Sequence, residues 1–222
     1  MSTLLVVASG GLGREAAAAA ESAGEHAQIA FVDDDPRRWG TTVGGRRVLG
    51  GLDTLLDRPE DRVVVCAGSG AARRRLVERL RAMGVADSRH VCIVDPGVRW
   101  APWRTGRGAV VLAGSVLTTD VVLAEHVVLM PQVTLTHDVV VESYATLCAG
   151  VSLGGSVRVG RGATIGMNAS VREGVVVGEG AVLGMGSVLL EDLPPGETWA
   201  GVPARPLRAR GVARRRHGAG AR

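Results

Sequence analysis

From Val111 to Leu189 every sixth residue is Val, Leu or Ile, in unbroken phase through Leu117, Leu123, Leu129, Leu135, Val141, Leu147, Leu153, Val159, Ile165, Val171, Val177 and Leu183. Four residues after each stands a small or β-branched side chain, as in Ser115, Val133, Ala145 and Val157. Neither a helix nor an alternating strand has a period of six. A fixed short period of this kind predicts a parallel β-helix, each hexad being one short strand and a bend. Three hexads make a triangular coil, so this stretch supplies roughly four to five coils.

The first part of the chain has a different rhythm. Apolar runs at Thr3–Ala8, Ala27–Val32, Arg62–Ala67 and His90–Val94 predict strands, and Glu15–Ser22 and Ala71–Met83 predict helices. A short strand at Arg47–Leu49 and a short helix at Leu52–Leu56 are expected between them. Strand–helix alternation with glycines at strand ends predicts a small doubly wound, Rossmann-like α/β domain with a parallel sheet. The expected divisions are 1–96 for this domain, 97–107 for a junction carrying Trp100 and Trp103, 108–192 for the β-helix and 193–222 for a terminal segment.

Composition agrees with the repeat. Aromatic residues make up only 3%, with one Phe and one Tyr, which suits a narrow bore filled by Val, Leu and Ile. The net charge of +4 owes much to the stretch from Arg205 to Arg222, including Arg214, Arg215 and Arg216, which reads as a solvated tail and not as a nucleic-acid surface. Cys66, Cys92 and Cys148 lack metal-ligand spacing and are odd in number, so a reducing, cytoplasmic setting is expected. No signal-peptide pattern and no apolar run of membrane-spanning length is present, so no membrane insertion is expected.

Ser9-Gly10-Gly11-Leu12-Gly13-Arg14 lies where the first strand turns into the first helix. Backbone amides and the helix dipole at such a turn receive anions, and Gly10, Gly11 and Gly13 permit close approach. A tight turn without a ligand is the alternative. Asp33 and Asp34 end the second strand at the same sheet edge, where a carboxylate can accept from a ribose hydroxyl or a base N–H; a solvated acidic turn into Pro36 is equally consistent.

Within the repeat, His137-Asp138 occupies the third and fourth positions of the Leu135 hexad, facing outward beside a coil edge. One coil on, Gly155 stacks over His137; one coil back stands Thr119. Small neighbours leave room for a substrate, and a neutral imidazole can accept a proton, with Asp138 or a carbonyl fixing its tautomer. A plain surface histidine is the competing reading. His126 and His90 are weaker candidates, and His26 and His217 read as solvated. Cys148 reads as a small buried side chain. No serine elbow, paired cysteine ligands or Walker-type loop occurs, which favours direct transfer aided by a base over a covalent intermediate.

Over almost its full length the chain resembles the PglD/NeuD type of sugar acetyltransferases, in its glycine turn, its acidic pair after the second strand and its Thr136-His137-Asp138. Gly-Met-Asn-Ala-Ser at 166–170, Gly-Met-Gly-Ser-Val at 184–188 and Ala-Gly-Val-Pro-Ala-Arg at 200–205 carry the likeness further. The resemblance implies a left-handed hexapeptide β-helix, a homotrimer with active sites between adjacent β-helices, and acetyl-CoA lying along the coils without any metal. It implies His137 as general base with Asp138, and Gly10, Gly11, Gly13, Asp33 and Asp34 as contacts to the nucleotide of a nucleotide-linked amino sugar. It further implies Gly155 as a backbone contact near the thioester, and Gly201 to Arg205 near the adenosine end. Leu12 and Thr146 stand where the family commonly has histidines, one in the glycine turn and one nine residues after the first catalytic position.

Acetyl-CoA-dependent N-acetylation of a nucleotide-linked amino sugar is therefore the function expected. O-acyl transfer to a sugar hydroxyl or natural-product intermediate and a non-catalytic β-helix binding protein are its alternatives. A zinc-dependent carbonic-anhydrase-like β-helix needs three histidines across an interface, and His126 and His137 fall short of that set.

Overall fold

The structure, a computed structural model, describes residues 2–99 and 104–207. The expected junction tryptophans Trp100 and Trp103, and the basic tail with His217, lie outside the described residues.

The first unit is a three-stranded parallel sheet in the order β2 (Gln28–Val32), β1 (Thr3–Val7) and a third strand, Arg62–Val65. Helix α1 (Gly11–Ala23) links β1 to β2, and α2 (Gly70–Ala82) follows the third strand. A short hairpin of Thr42–Val43 with Arg46–Arg47 and a 3-10 turn at Leu52–Leu55 complete the unit. The alanines of α1 are small enough for the helix to lie close on the sheet, and Ala16, Ala17 and Ala20 are buried against Leu4, Val6 and Phe31.

The second unit is the three-sided left-handed β-helix. Two-residue strands pair in parallel with partners eighteen residues on, as Leu135 with Leu153 and Leu153 with Val171. The bore is filled by the hexad positions and by the small or β-branched side chains four residues after them. Each bend places a residue at positive φ, and the position recurs every six residues. Gly114, Gly150, Gly162 and Gly174 occupy it without strain, whereas Asp120, His126, Gln132, Asp138, Tyr144, Ser156 and Asn168 hold it with side chains.

Two boundaries differ from expectation. The strand expected over His90–Val94 does not complete the first sheet. His90 makes an isolated bridge to Val63, and then Ile93–Val94 pairs with Val110–Val111 as a strand of the β-helix. The solenoid therefore starts before residue 96 and has about six turns instead of four to five. Beyond the hexads, Thr198–Gly201 still pairs with Val182–Leu183, then folds back on Ala204–Pro206 as an antiparallel hairpin. The sixfold pattern understates the coil count because these end strands satisfy the same ladder without carrying the hexad spacing.

The two units are locked together by Arg73 of α2, which is fully buried and, among the described residues, has no carboxylate partner. Its guanidinium donates to the carbonyls of Ala67, Gly68, His126, Tyr144 and Ala145 and to Thr146 Oγ1, at 2.8–3.1 Å. Burial pulls the Arg73 pKa down to about 10, which still leaves the group charged at neutral pH. Gly70 presses α2 onto the coil so closely that a Cβ there would overlap the Tyr144 carbonyl oxygen. Above this contact the His126 ring stacks on Tyr144 with centroids 5.3 Å apart, and His90 meets it edge-on at 5.1 Å.

Candidate active site

His137 and Asp138 lie at one corner of the β-helix, both exposed. Asp138 takes the corner's positive φ of 60°, a conformation that Asp tolerates better than most residues. His137 Nδ1 lies 2.8 Å from Asp138 Oδ2. A carboxylate only accepts, so this contact puts the proton on Nδ1 and leaves the lone pair on Nε2. The ring lies over Gly155, one coil on: a Cβ at 155 would collide with both Cε1 and Nε2. The Gly155 N–H has no acceptor among the described residues. A proton acceptor and a free backbone donor thus stand side by side, the pair that attack on a carbonyl requires.

The eighteen-residue register places His137, Gly155 and Glu173 in one column, and Glu191 follows the strand three coils on from that of His137. Strands stack about 4.8 Å apart, so Glu191 stands roughly 14 Å along the coil axis from His137. Arg205 Nη1 donates to Glu191 Oε1 at 2.8 Å, which sets a cation at the far end of the column. Gly201 gives its N–H to Ser187 Oγ at 3.0 Å. An extended molecule lying along this edge would meet the imidazole at one end and the terminal hairpin at the other.

Thr146 is not near this corner. It is buried at the contact between the two units, where its hydroxyl accepts from Arg73. His126 also occupies a different corner from His137, buried beside α2. No cluster of three potential metal-ligating side chains occurs among the described residues.

At the carboxyl edge of the first sheet, a side chain at Gly10 or Gly11 would meet nothing within 4 Å, so the backbone there is open. Gly10 caps α1 without a side-chain hydrogen bond, so the cap leaves the first amides of the helix without a side-chain acceptor. Gly13 has another role, since a Cβ there would overlap the Ala8 carbonyl oxygen. It is the residue that lets α1 pack against the end of β1. Asp33 is largely satisfied within the chain: Oδ2 accepts from Ser9 N at 2.8 Å and Ser9 Oγ at 2.6 Å, and Oδ1 from Asp35 N at 3.0 Å. Burial works to raise its pKa, but these hydrogen bonds and the Arg38 charge prevail and hold it below the ordinary carboxylate range. Asp34 faces away toward α2, its carboxylate accepting from Arg79 at 2.7 Å. The acidic pair therefore splits into one residue that shapes the glycine turn and one that forms an exposed ion pair.

Sequence reasoning overlooked Ser9, Arg38 and Trp39. Arg38 Nη1 donates to Ser9 Oγ at 2.9 Å, bringing a half-exposed guanidinium to the glycine turn. Trp39 Nε1 donates to the Asp33 carbonyl at 2.7 Å. The signal available was the Asp-Pro step, which starts a 3-10 turn and folds residues 36–38 back over the strand end.

Comparison with known proteins gives a consistent likeness. The PglD N-terminal domain profile matches residues 3–80, and the bacterial transferase hexapeptide (six repeats) profile matches residues 156–191. The acetyltransferase domain of PglB from Neisseria gonorrhoeae, solved in complex with acetyl coenzyme A, is 32% identical. It aligns over 92% of this chain and 98% of its own, with a TM-score of 0.86. A variant of perosamine N-acetyltransferase from Caulobacter crescentus, solved with CoA and GDP-perosamine, is 26% identical over 94% and 98% of the two chains, with a TM-score of 0.86. WeeI from Acinetobacter baumannii is 26% identical over 93% and 100%, with a TM-score of 0.83. No curated protein matches.

Proposed function

The chain belongs to the sugar acetyltransferases of the PglD/NeuD type, and from that premise we propose that His137 is the general base of its acetyl transfer. The protein is an acyl-CoA-dependent acetyltransferase that N-acetylates a nucleotide-linked amino sugar. The observation that carries the assignment of His137 is its contact with Asp138, which leaves Nε2 free over Gly155.

In the proposed reaction the acceptor amine attacks the thioester carbonyl of acetyl-CoA. His137 Nε2 takes the proton released as the C–N bond forms, and the Asp138 carboxylate balances the imidazolium. The Gly155 N–H donates to the oxyanion. When the C–S bond breaks, the imidazolium returns its proton to the departing CoA sulfur, so acid and base roles fall to one residue.

The acetyl-CoA is read as lying along the column from Gly155 toward Gly201 and Arg205, a course supported by the cation at the column's far end. The nucleotide is read as lying on the open backbone at Gly10 and Gly11, with Arg38 beside it. Asp33 holds that turn in shape. Exposed Met167, Met185 and Leu190 on the coils support self-association, and we read the assembly as a homotrimer with active sites between β-helices. Among the described residues no helix is long and apolar enough to cross a membrane. The three unpaired cysteines suit the reducing cytoplasm, where we place the protein.

Release of free CoA thiol from acetyl-CoA with a nucleotide-linked amino sugar tests the assignment. His137→Ala is expected to lower turnover by about 10² to 10⁴. Full turnover in a folded variant would exclude His137 as the base.

A further inference from the structure

The loop after β2 exposes an aromatic surface that the reaction above does not use. Trp39 is 47% exposed, whereas the other Phe, Tyr and Trp side chains among the described residues, Phe31, Tyr144 and Trp199, are buried. Its ring is nevertheless fixed. Nε1 donates to the Asp33 carbonyl, the backbone N–H donates to the Pro36 carbonyl at 3.2 Å, and Cζ2 lies over Gly51, where a Cβ would come within 2.9 Å. With the N–H already bonded and one side resting on glycine, the indole presents the rest of its surface to solvent. Burying an indole is favourable, so a rigid one held outward on a sheet's ligand-binding edge suits a flat apolar partner.

Its position says which partner. Arg38, the preceding residue, reaches the Ser9 hydroxyl at the start of the glycine turn. Asp33 is bonded to both sides of this arrangement, through its carboxylate to Ser9 and through its carbonyl to Trp39. A guanidinium suited to phosphate and a π-face suited to a base thus flank the same residue, in the order in which a nucleotide presents those groups.

We propose that Trp39 is the stacking platform for the nucleobase of the acceptor. The proposal rests on the reading that the first unit holds the acceptor's nucleotide. Every base has a π-face, so this contact adds affinity without choosing among bases, and a ring already fixed loses little freedom on binding. The contact is made to the base and not to the reacting amine, so its loss is expected to appear in the acceptor KM.

The test uses the full-length protein with UDP, GDP and dTDP as probes, followed by calorimetry and by tryptophan fluorescence. Trp39→Leu keeps an apolar cover over Gly51 but removes the aromatic face, and Trp39→Phe keeps a smaller face. The expected result is that a nucleotide quenches wild-type emission and that Trp39→Leu weakens its binding by about 5- to 100-fold. Trp39→Phe should stay within a few-fold of wild type while losing the quench, and the KM for acetyl-CoA should not move in either variant. If Trp39→Leu binds the nucleotide as tightly as wild type, the platform is excluded and the nucleotide reading stands. If none of the three binds the wild-type protein, both fail together.

Discussion

The imidazole of His137 rests on the backbone of Gly155, the residue directly above it in the next coil. The backbone at 155 is not in the left-handed region, so alanine is conformationally acceptable there. Any Cβ, however, takes the space of the ring's Cε1–Nε2 edge. Gly155→Ala should therefore leave the melting temperature near that of wild type and lower kcat by about 10- to 100-fold, since a displacement of the base by about 1 Å is enough to cost that much. Wild-type kcat in a folded Gly155→Ala protein would show that the ring is not held where the chemistry needs it.

Asp138 separates two contributions, an acceptor for Nδ1–H and a negative charge. Asn tolerates the positive φ and still offers an acceptor oxygen, so Asp138→Asn is expected to lose about tenfold in kcat. Asp138→Ala removes both and should lose about 10²-fold or more. Circular dichroism of each variant distinguishes this from unfolding. Equal rates for the two variants would show that the charge, not the tautomer, is what matters.

How much of this was legible in the sequence depends on whether a feature is periodic. The coil edge, the outward face of His137 and its stacking on Gly155 follow from counting by eighteen, because the ladder permits no slip between Leu117 and Leu189. The ends of the solenoid were missed because Ile93–Val94 and Thr198–Gly201 join the ladder from irregular sequence. In the first unit the open turn at Gly10 and Gly11 was readable from a strand–glycine–helix pattern, but the closed one at Gly13 was not, because its neighbour Ala8 is fixed only by tertiary packing. The inter-unit lock was invisible for the same reason. Arg73 reads as one more charge on an amphipathic helix until its six oxygen acceptors, four of them at residues 126–146, are brought around it.

That lock sets a stability prediction. Arg73→Met fills much of the volume but leaves the buried carbonyls of His126 and Tyr144 and the part-buried carbonyl of Ala67 without a donor, whereas the Ala145 carbonyl keeps the Val128 N–H. Unsatisfied buried acceptors cost about 1–3 kcal/mol apiece, partly relieved by relaxation, so a loss of about 3 kcal/mol is expected. For a chain of this size that is a fall of roughly 6–12 °C in melting temperature. A melting temperature within 2 °C of wild type would show that the two units do not depend on this contact.

His126 is expected to shape the acid side of the stability profile. It is 3% exposed, its Nδ1 has no hydrogen-bond partner among the described residues, and burial, reinforced by His90 and Arg73, lowers its pKa from 6.5 to about 4. The His90 pKa is lowered too, again first by burial. Because the folded value lies below the free one, the unfolded chain binds the proton first as the solution is acidified. Stability is therefore fully present above pH 6.5, declines as pH falls from 6.5 toward 4, and levels off for this group below that. The shift corresponds to about 3 kcal/mol at most. Asn accepts the positive φ at 126 and does not titrate, so His126→Asn should flatten the decline between pH 6.5 and 4 whatever it does to stability at neutral pH. Urea unfolding of both proteins across that range measures the slope directly. An unchanged slope in His126→Asn would assign the acid sensitivity in that range to His90, since the depressed Asp33 carboxyl acts only below its ordinary value of 3.8.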